Sequence, residues 1–386
     1  MRTVGIVAPG HFKRLAAEIG FFHGYYEACQ NGFPIPDYMT GVSAGGIAVA
    51  CAAQWTEEDF RKIEEVLLNL RRSHFYSINP KLEILGGLAA LAALSTMLPT
   101  DKDTIKNPYV RYGAKAAIAL SILGMDKKFV EALLNNDSIF SNKNLYSLLH
   151  RELRIKRVFN SPIKLEIASV DINNKVFSTV SNFKPEHQNA ETFIHGIVDS
   201  TRLPVFFPFR KDKNGNYLAD GAAINNVPIH LARNFGCDII IVLKFKCAGE
   251  GPIDMEYNKW TSGLSRWVDI SVDENTRKTL RDYEWINNAI CQEEKIRQAS
   301  GLLESLIDEH TGVEDRRKIQ EALELLTNVK LPTAGKRKIK LIIVDSEEIP
   351  EFHFSNFNKI TIRESINIGY RSFWNIKDQI AEAIGQ

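Results

Sequence analysis

The sequence predicts an α/β fold with a largely parallel central sheet, and three observations predict it. Short β-branched runs alternate with segments of helical periodicity along the chain. Two of those runs, residues 239–244 and 340–344, are apolar over nearly their whole length, as strands buried on both faces are. A third segment, residues 37–40, passes through a small-residue turn, Gly-Val-Ser-Ala-Gly-Gly, straight into an Ala-rich helix.

Taken in order, residues 4–8 form a short buried strand. Residues 14–30 form a helix whose apolar positions Leu15, Ile19, Phe22 and Tyr26 recur at spacings of three and four. Gly32 ends it. Pro34 and Pro36 punctuate the chain before the strand at 37–40 and the helix at 46–54. Residues 57–153 read as a helical, partly apolar insertion. Strands at 163–170 and 175–180 are joined by an Asp-Ile-Asn-Asn turn that suits a hairpin. A short apolar strand then runs into Asp220, a helix follows at 228–235, and the 239–244 strand comes next. Residues 250–335 are a charged helical segment, and 336–386 supply a last strand and helix. The whole, 1–386, is expected to be one domain.

Composition narrows the function. Of 386 residues, 44% are hydrophobic and 25% charged, and 48 Lys+Arg against 47 Asp+Glu leave a formal +1. That balance supplies no broad basic surface, so nucleic acid is not an expected partner. Five cysteines without a CxxC pair indicate neither a disulfide framework nor a zinc site, and a reducing cytosol is the expected compartment. The opening MRTVGIVAPG lacks the longer apolar core of a signal peptide. No phosphate-cradling or dinucleotide-binding glycine motif follows a strand, so no cofactor and no metal is expected. Residues 84–100 carry no charge, yet Gly86, Gly87 and Pro99 leave less than the roughly 20 apolar residues a spanning helix needs. This stretch reads first as a buried core helix and second as an acyl-binding or membrane-surface helix. The basic clusters 151–157 and 336–340 read as solvated faces.

The chemistry concentrates in Gly41-Val42-Ser43-Ala44-Gly45, a G-x-S-x-G turn between a strand and a helix. Such a turn crowds backbone against backbone, which residues lacking Cβ tolerate, and leaves the serine at a helix N-terminus that favours a nearby oxyanion. A serine hydroxyl needs a base. None of the nine histidines sits in a motif that singles it out. Asp220 does, in Tyr217-Leu218-Ala219-Asp220-Gly221-Ala222-Ala223-Ile224-Asn225-Asn226-Val227-Pro228, although an Asp-Gly turn is also common without catalysis.

Together these blocks resemble the patatin-like phospholipases. Ser43 in GVSAG matches that family's nucleophile elbow, and Asp220 in DGAAINNVP matches its Asp-Gly-Gly/Ala block. Between them, residues 199–208 (DSTRLPVFFP) resemble its Ala-Ser-x-x-x-Pro-x-x-Phe-Pro stretch. The resemblance implies a three-layer α/β/α fold and a Ser-Asp dyad acting on lipid esters without a catalytic histidine. Ser43 would attack the carbonyl, Asp220 would carry the proton, and water would resolve the acyl-enzyme; Gly41, Gly45 and Gly221 would serve the turns. The apolar stretches 84–98 and 116–125 would cover the cleft or meet a membrane surface.

One block departs from that pattern. The family's G-G-G-x-R/K-G oxyanion loop corresponds to Gly10-His11-Phe12-Lys13-Arg14-Leu15, which keeps only the first glycine and the basic residue. Positive φ angles that glycines permit would cost His11 or Phe12 about 1–3 kcal/mol each. The expectation is a rebuilt oxyanion site formed by Gly10, His11, Phe12 and Arg14, the alternatives being a slow enzyme or a catalytically silent lipid-binding protein. A further alternative is an α/β-hydrolase triad using His310 or His353. The 42 residues before Ser43 are too few for the strands that precede the nucleophile in that fold.

Overall fold

The computed structural model describes residues 2–78, 138, 140–204, 206–248, 260–307, 312–327, 333, 336–344, 346–350 and 358–385. The apolar stretches at 84–100 and 116–125, together with His310 and His353, lie outside the described residues.

Five parallel strands form the centre of an eight-stranded sheet: β1 (Val4–Ala8), β2 (Tyr38–Val42), β5 (Lys164–Asp171), β9 (Ile239–Val242) and β10 (Lys340–Ile343). They lie in the order β10-β9-β1-β2-β5. Beyond β5 the pairing turns antiparallel, with β6 (Val176–Ser181) as its hairpin partner and β8 (Tyr217–Asp220) followed by β7 (Arg210–Lys211).

Alternation along the strands builds two cores. Val4, Ile6 and Ala8, with Ile239, Ile241 and Leu243, face one apolar cluster, while Val7, Ile240 and Val242 face another. The first is roofed by α1 (Leu15–Gln30), α2 (Ala44–Ala52), α3 (Glu57–Leu68) and α11 (Lys359–Gly385). The second is roofed by α8 (Ile229–Phe235) and by Leu280 of α9 (Trp260–Ser305). The molecule is a three-layer α/β/α fold with a mostly parallel sheet.

The helices differ from their local patterns in an informative way. A one-sided stripe is expected for α1, yet Phe21, Gly24 and Tyr25 are buried as well as Ile19 and Phe22. The cause is α11, packed against its outer side so closely that a Cβ on Gly369 would lie 1.8 Å from the Ala17 carbonyl oxygen. A contact between positions so far apart in the chain leaves no local periodicity.

The helical expectation for residues 57–153 needs one correction. It holds for α3, α4 (Arg72–Phe75), α5 (Lys143–Glu152) and α6 (Ile155–Phe159), the last just beyond its end, but a two-stranded ribbon of β3 (Ser77–Ile78) and β4 (Phe140–Ser141) lies within that section. Aromatic packing explains it: the Tyr76 and Phe140 rings lie 4.5 Å apart and Phe140 donates its N–H to the Phe206 carbonyl at 2.8 Å. Among the described residues, no helix is long and apolar enough to cross a membrane.

Candidate active site

Strand β5 brings the two sequence motifs together. Its one edge is taken by β6 from Glu166 to Asp171, so β2 and β8 must share the other. On that edge Val42 of β2 stands opposite Ala168, and Asp220 of β8 stands opposite Ser169. The end of one strand therefore meets the end of the other with a single-residue step along β5. Ser43 and Asp220, far apart in sequence, emerge side by side.

Ser43 adopts φ 54°, ψ −124°, a conformation that side chains disfavour. Crowding holds it there: a Cβ at Gly41 would lie 2.4 Å from the Gly45 carbonyl oxygen, and one at Gly45 would lie 2.2 Å from that of Ala8. Helix α2 starts at the next residue, so its positive end points at the serine. The Ser43 N–H donates to Ser200 Oγ at 2.7 Å, and Ser200 donates in turn to the Ala168 carbonyl at 2.6 Å.

Asp220 is 4% exposed. Burial pushes its carboxyl up to about 6, against the downward pull of the Ala222 N–H, which donates to Oδ1 at 2.9 Å, and of the Ser43 hydroxyl, its side-chain hydrogen-bond partner. Its own N–H donates to the Arg202 carbonyl at 3.0 Å. Gly221 is needed for clearance, since a Cβ there would stand 2.5 Å from the Ala168 carbonyl oxygen.

The segment from Asp199 onward is thus a strut between the two motifs: Ser200 holds the backbone of Ser43, and Arg202 holds that of Asp220. The strut is anchored by the wholly buried Asp199 carboxylate, which accepts from Arg202 Nε at 2.8 Å and Arg210 Nε at 2.9 Å. The sequence marks this block only as a resemblance. A serine at the end of an apolar helix, α7 (Ala190–Asp199), gives no local sign of where its hydroxyl will point.

The loop after β1 departs from expectation. His11 has φ −169°, ordinary extended backbone, and among the described residues no positive φ occurs at positions 10–12. The predicted strain is absent. Gly10 is required for space instead, because a Cβ there would lie 2.9 Å from Ser43 Cβ and 2.7 Å from Asn226 Oδ1. Its N–H donates to the Asn226 main-chain carbonyl at 3.3 Å, so it is not aimed at an oxyanion. Phe12 opens a short 3-10 turn leading into α1 and packs edge-on against Phe75, ring centroids 5.0 Å apart. That turn also packs against α2, the helix that begins beside Ser43.

Arg14 is not a solvated residue of the helix end. It is wholly buried, donating Nε to the Phe245 carbonyl at 2.9 Å and pairing with Asp273 of α9 at 3.4 Å. One turn later the buried Glu18 has its carboxyl pushed well up by burial, with Arg14 pulling it partly back.

Several histidines are engaged elsewhere. His187 lies against Ser181, His195 stacks on Tyr146 at 4.6 Å, and His230 stacks on Phe177 at 4.9 Å. His23 is near Glu27, Glu57 and Glu64. Burial pulls it down, but its hydrogen bonds to Glu64 at 2.7 Å and Glu57 at 3.2 Å outweigh that and leave it raised.

Among solved structures, the chain is similar to VipD from Legionella pneumophila, over 98% of this chain and 67% of that one, at 14% identity and a TM-score of 0.41. No curated protein matches the sequence. The family model for patatin-like phospholipase matches residues 12–233, which include the elbow, the strut and the Asp-Gly turn. The chain belongs to the patatin-like phospholipase family, whose members are lipid-acyl hydrolases.

Proposed function

We propose that this chain is a serine acyl hydrolase that cleaves fatty-acyl esters of lipids through a Ser43–Asp220 dyad and an acyl-enzyme. The observation that carries the reading is a strained serine at a helix N-terminus beside a buried carboxyl raised to about 6. A carboxylate with that pKa is ionised at neutral pH yet more basic than an ordinary Asp, which suits a general base. Ser43 Oγ attacks the ester carbonyl as its proton passes to Asp220. The tetrahedral oxyanion forms beside the N-terminal end of α2. Its collapse breaks the ester C–O bond, and Asp220 returns the proton to the leaving alcohol. Water then attacks the acyl-enzyme, again giving its proton to Asp220, and Ser43 leaves with that proton.

A small apolar cavity of about 50 Å³ lies against α2. It is lined by Ile47 and Cys51, one and two turns beyond Ser43 on α2, and by Leu15, Ile63 and Leu149. Its polar lining residues Lys62 and Glu152 pair with each other at 3.1 Å. The uncharged sequences at 84–98 and 116–125 are the proposed contacts with a lipid surface.

Hydrolysis of p-nitrophenyl esters of graded chain length, in detergent, tests the proposal. Ser43→Ala abolishes turnover and Asp220→Asn lowers it by about 10²–10⁴-fold, while His310→Ala and His353→Ala retain it. Loss on either histidine substitution, with the fold intact, sinks the dyad.

A further inference from the structure

Asn226, six residues beyond Asp220, is wholly buried on the loop leading to α8. Nearly all its polar groups are engaged. Its carbonyl accepts from Gly10, its N–H donates to Asn275 Oδ1 at 3.0 Å, and its Nδ2 donates to Thr276 Oγ1 at 3.1 Å. The Thr276 hydroxyl donates to the Val272 carbonyl at 2.9 Å. The side-chain oxygen of Asn226 alone among these has no partner among the described residues. Burying an amide oxygen unpaired is unfavourable, so its direction matters. It faces the gap left by the missing side chain of Gly10: a methyl there would touch both Asn226 Oδ1, at 2.7 Å, and Ser43 Cβ, at 2.9 Å. One side of the nucleophile is therefore bordered by a buried carboxamide.

We propose that Asn226 is a catalytic residue whose carboxamide donates to the oxyanion formed at Ser43. This rests on the hydrolase reading above. The gap lies on the side of the loop that has lost its glycines and whose Gly10 N–H is already committed, so a donor is needed there. A half-turn about χ2 exchanges the oxygen and the NH2 without changing the shape of the side chain. Thr276 accommodates either arrangement, accepting from Nδ2 or swinging its proton from Val272 to Oδ1. With the amide turned, the NH2 meets developing negative charge and the oxygen is satisfied by Thr276. Thr276 and Asn275, both on α9 and both outside the region matched by the family model, act as positioning residues.

The test uses the full chain, a p-nitrophenyl ester and a fluorophosphonate. Asn226→Asp keeps the shape and the acceptor but has no donor when ionised, and Asn226→Leu removes both. Both are expected to lower kcat by about 10²–10³-fold with KM nearly unchanged, and to slow fluorophosphonate inactivation in parallel. Thr276→Val gives a smaller loss in kcat that Thr276→Ser restores. Wild-type kcat in Asn226→Asp overturns the donor role. So does a loss confined to thermal stability, with kcat preserved in the folded fraction. A wild-type protein without Ser43-dependent turnover overturns the hydrolase reading itself, and this inference with it.

Discussion

The two sides of the candidate site are built by opposite means. On the Ser43–Asp220 side the chain relies on close backbone approach: Gly41, Gly45 and Gly221 leave no room for a Cβ, and β5 sets the two ends one residue apart. On the side of residues 10–14 the backbone is relaxed. Its position depends on distant polar contacts, Gly10 to Asn226, Arg14 to Phe245 and Arg14 to Asp273. The first side lies within the matched region 12–233, whereas the second takes Asp273 and, through Asn226, Asn275 and Thr276 from α9 outside it. Glycines can thus be lost from a loop whose φ angles are ordinary, but not from a turn whose neighbours are backbone oxygens.

The largest expected effect breaks the crowded side. Gly45→Val would drive a side chain into the Ala8 carbonyl, and neither backbone can yield, so soluble folded protein is lost; circular dichroism of the purified fraction checks this. Next comes Asp220→Asn, which should lower kcat by about 10²–10⁴-fold. It should also stabilise the fold at pH 8. A buried acid raised from its ordinary value to about 6 favours the folded state below pH 4, and that contribution is lost as pH rises through 6. Asn does not ionise, so its advantage at pH 8 reaches about 3 kcal/mol and disappears below pH 4 in urea titrations. For the same reason, kcat/KM of the wild type should rise with pH through about 6 and then level off.

Asp273→Leu attacks the relaxed side. It removes the α9 carboxylate that pairs with the wholly buried Arg14 at 3.4 Å and is expected to cost up to about 3 kcal/mol in chemical denaturation. The smallest effect sharpens the contrast: Ser43→Gly should be more stable than Ser43→Ala by about 1–3 kcal/mol, because only the former relaxes the φ of 54°. Equal melting temperatures for the two would remove strain from the account.

Much of the fold was legible in local pattern. Strands at 4–8, 239–244 and 340–344 and the hairpin at 163–180 lie within two residues of β1, β9, β10, β5 and β6, because buried strands and their turns carry their signal in adjacent residues. The all-round burial of α1 was not legible, since it depends on α11. Motif and resemblance marked Ser43 and Asp220, and the structure sets them side by side. They gave no role to Ser200 or Asn226, which lie within the resembling blocks, and did not mark Thr276; these hydroxyls and this amide acquire their roles from partners 32 to 157 residues away. The strain expected at His11 and Phe12 was inferred from missing glycines, but the loop needs clearance at Gly10 alone.

The central claim is that Ser43 is a nucleophile activated by Asp220. Fluorophosphonate labelling of the native chain followed by peptide mass spectrometry tests it most directly. One phosphonate adduct is expected, on the peptide containing Ser43, absent in Ser43→Ala and strongly slowed in Asp220→Asn. No adduct on folded protein, or an adduct that persists in Ser43→Ala, contradicts it.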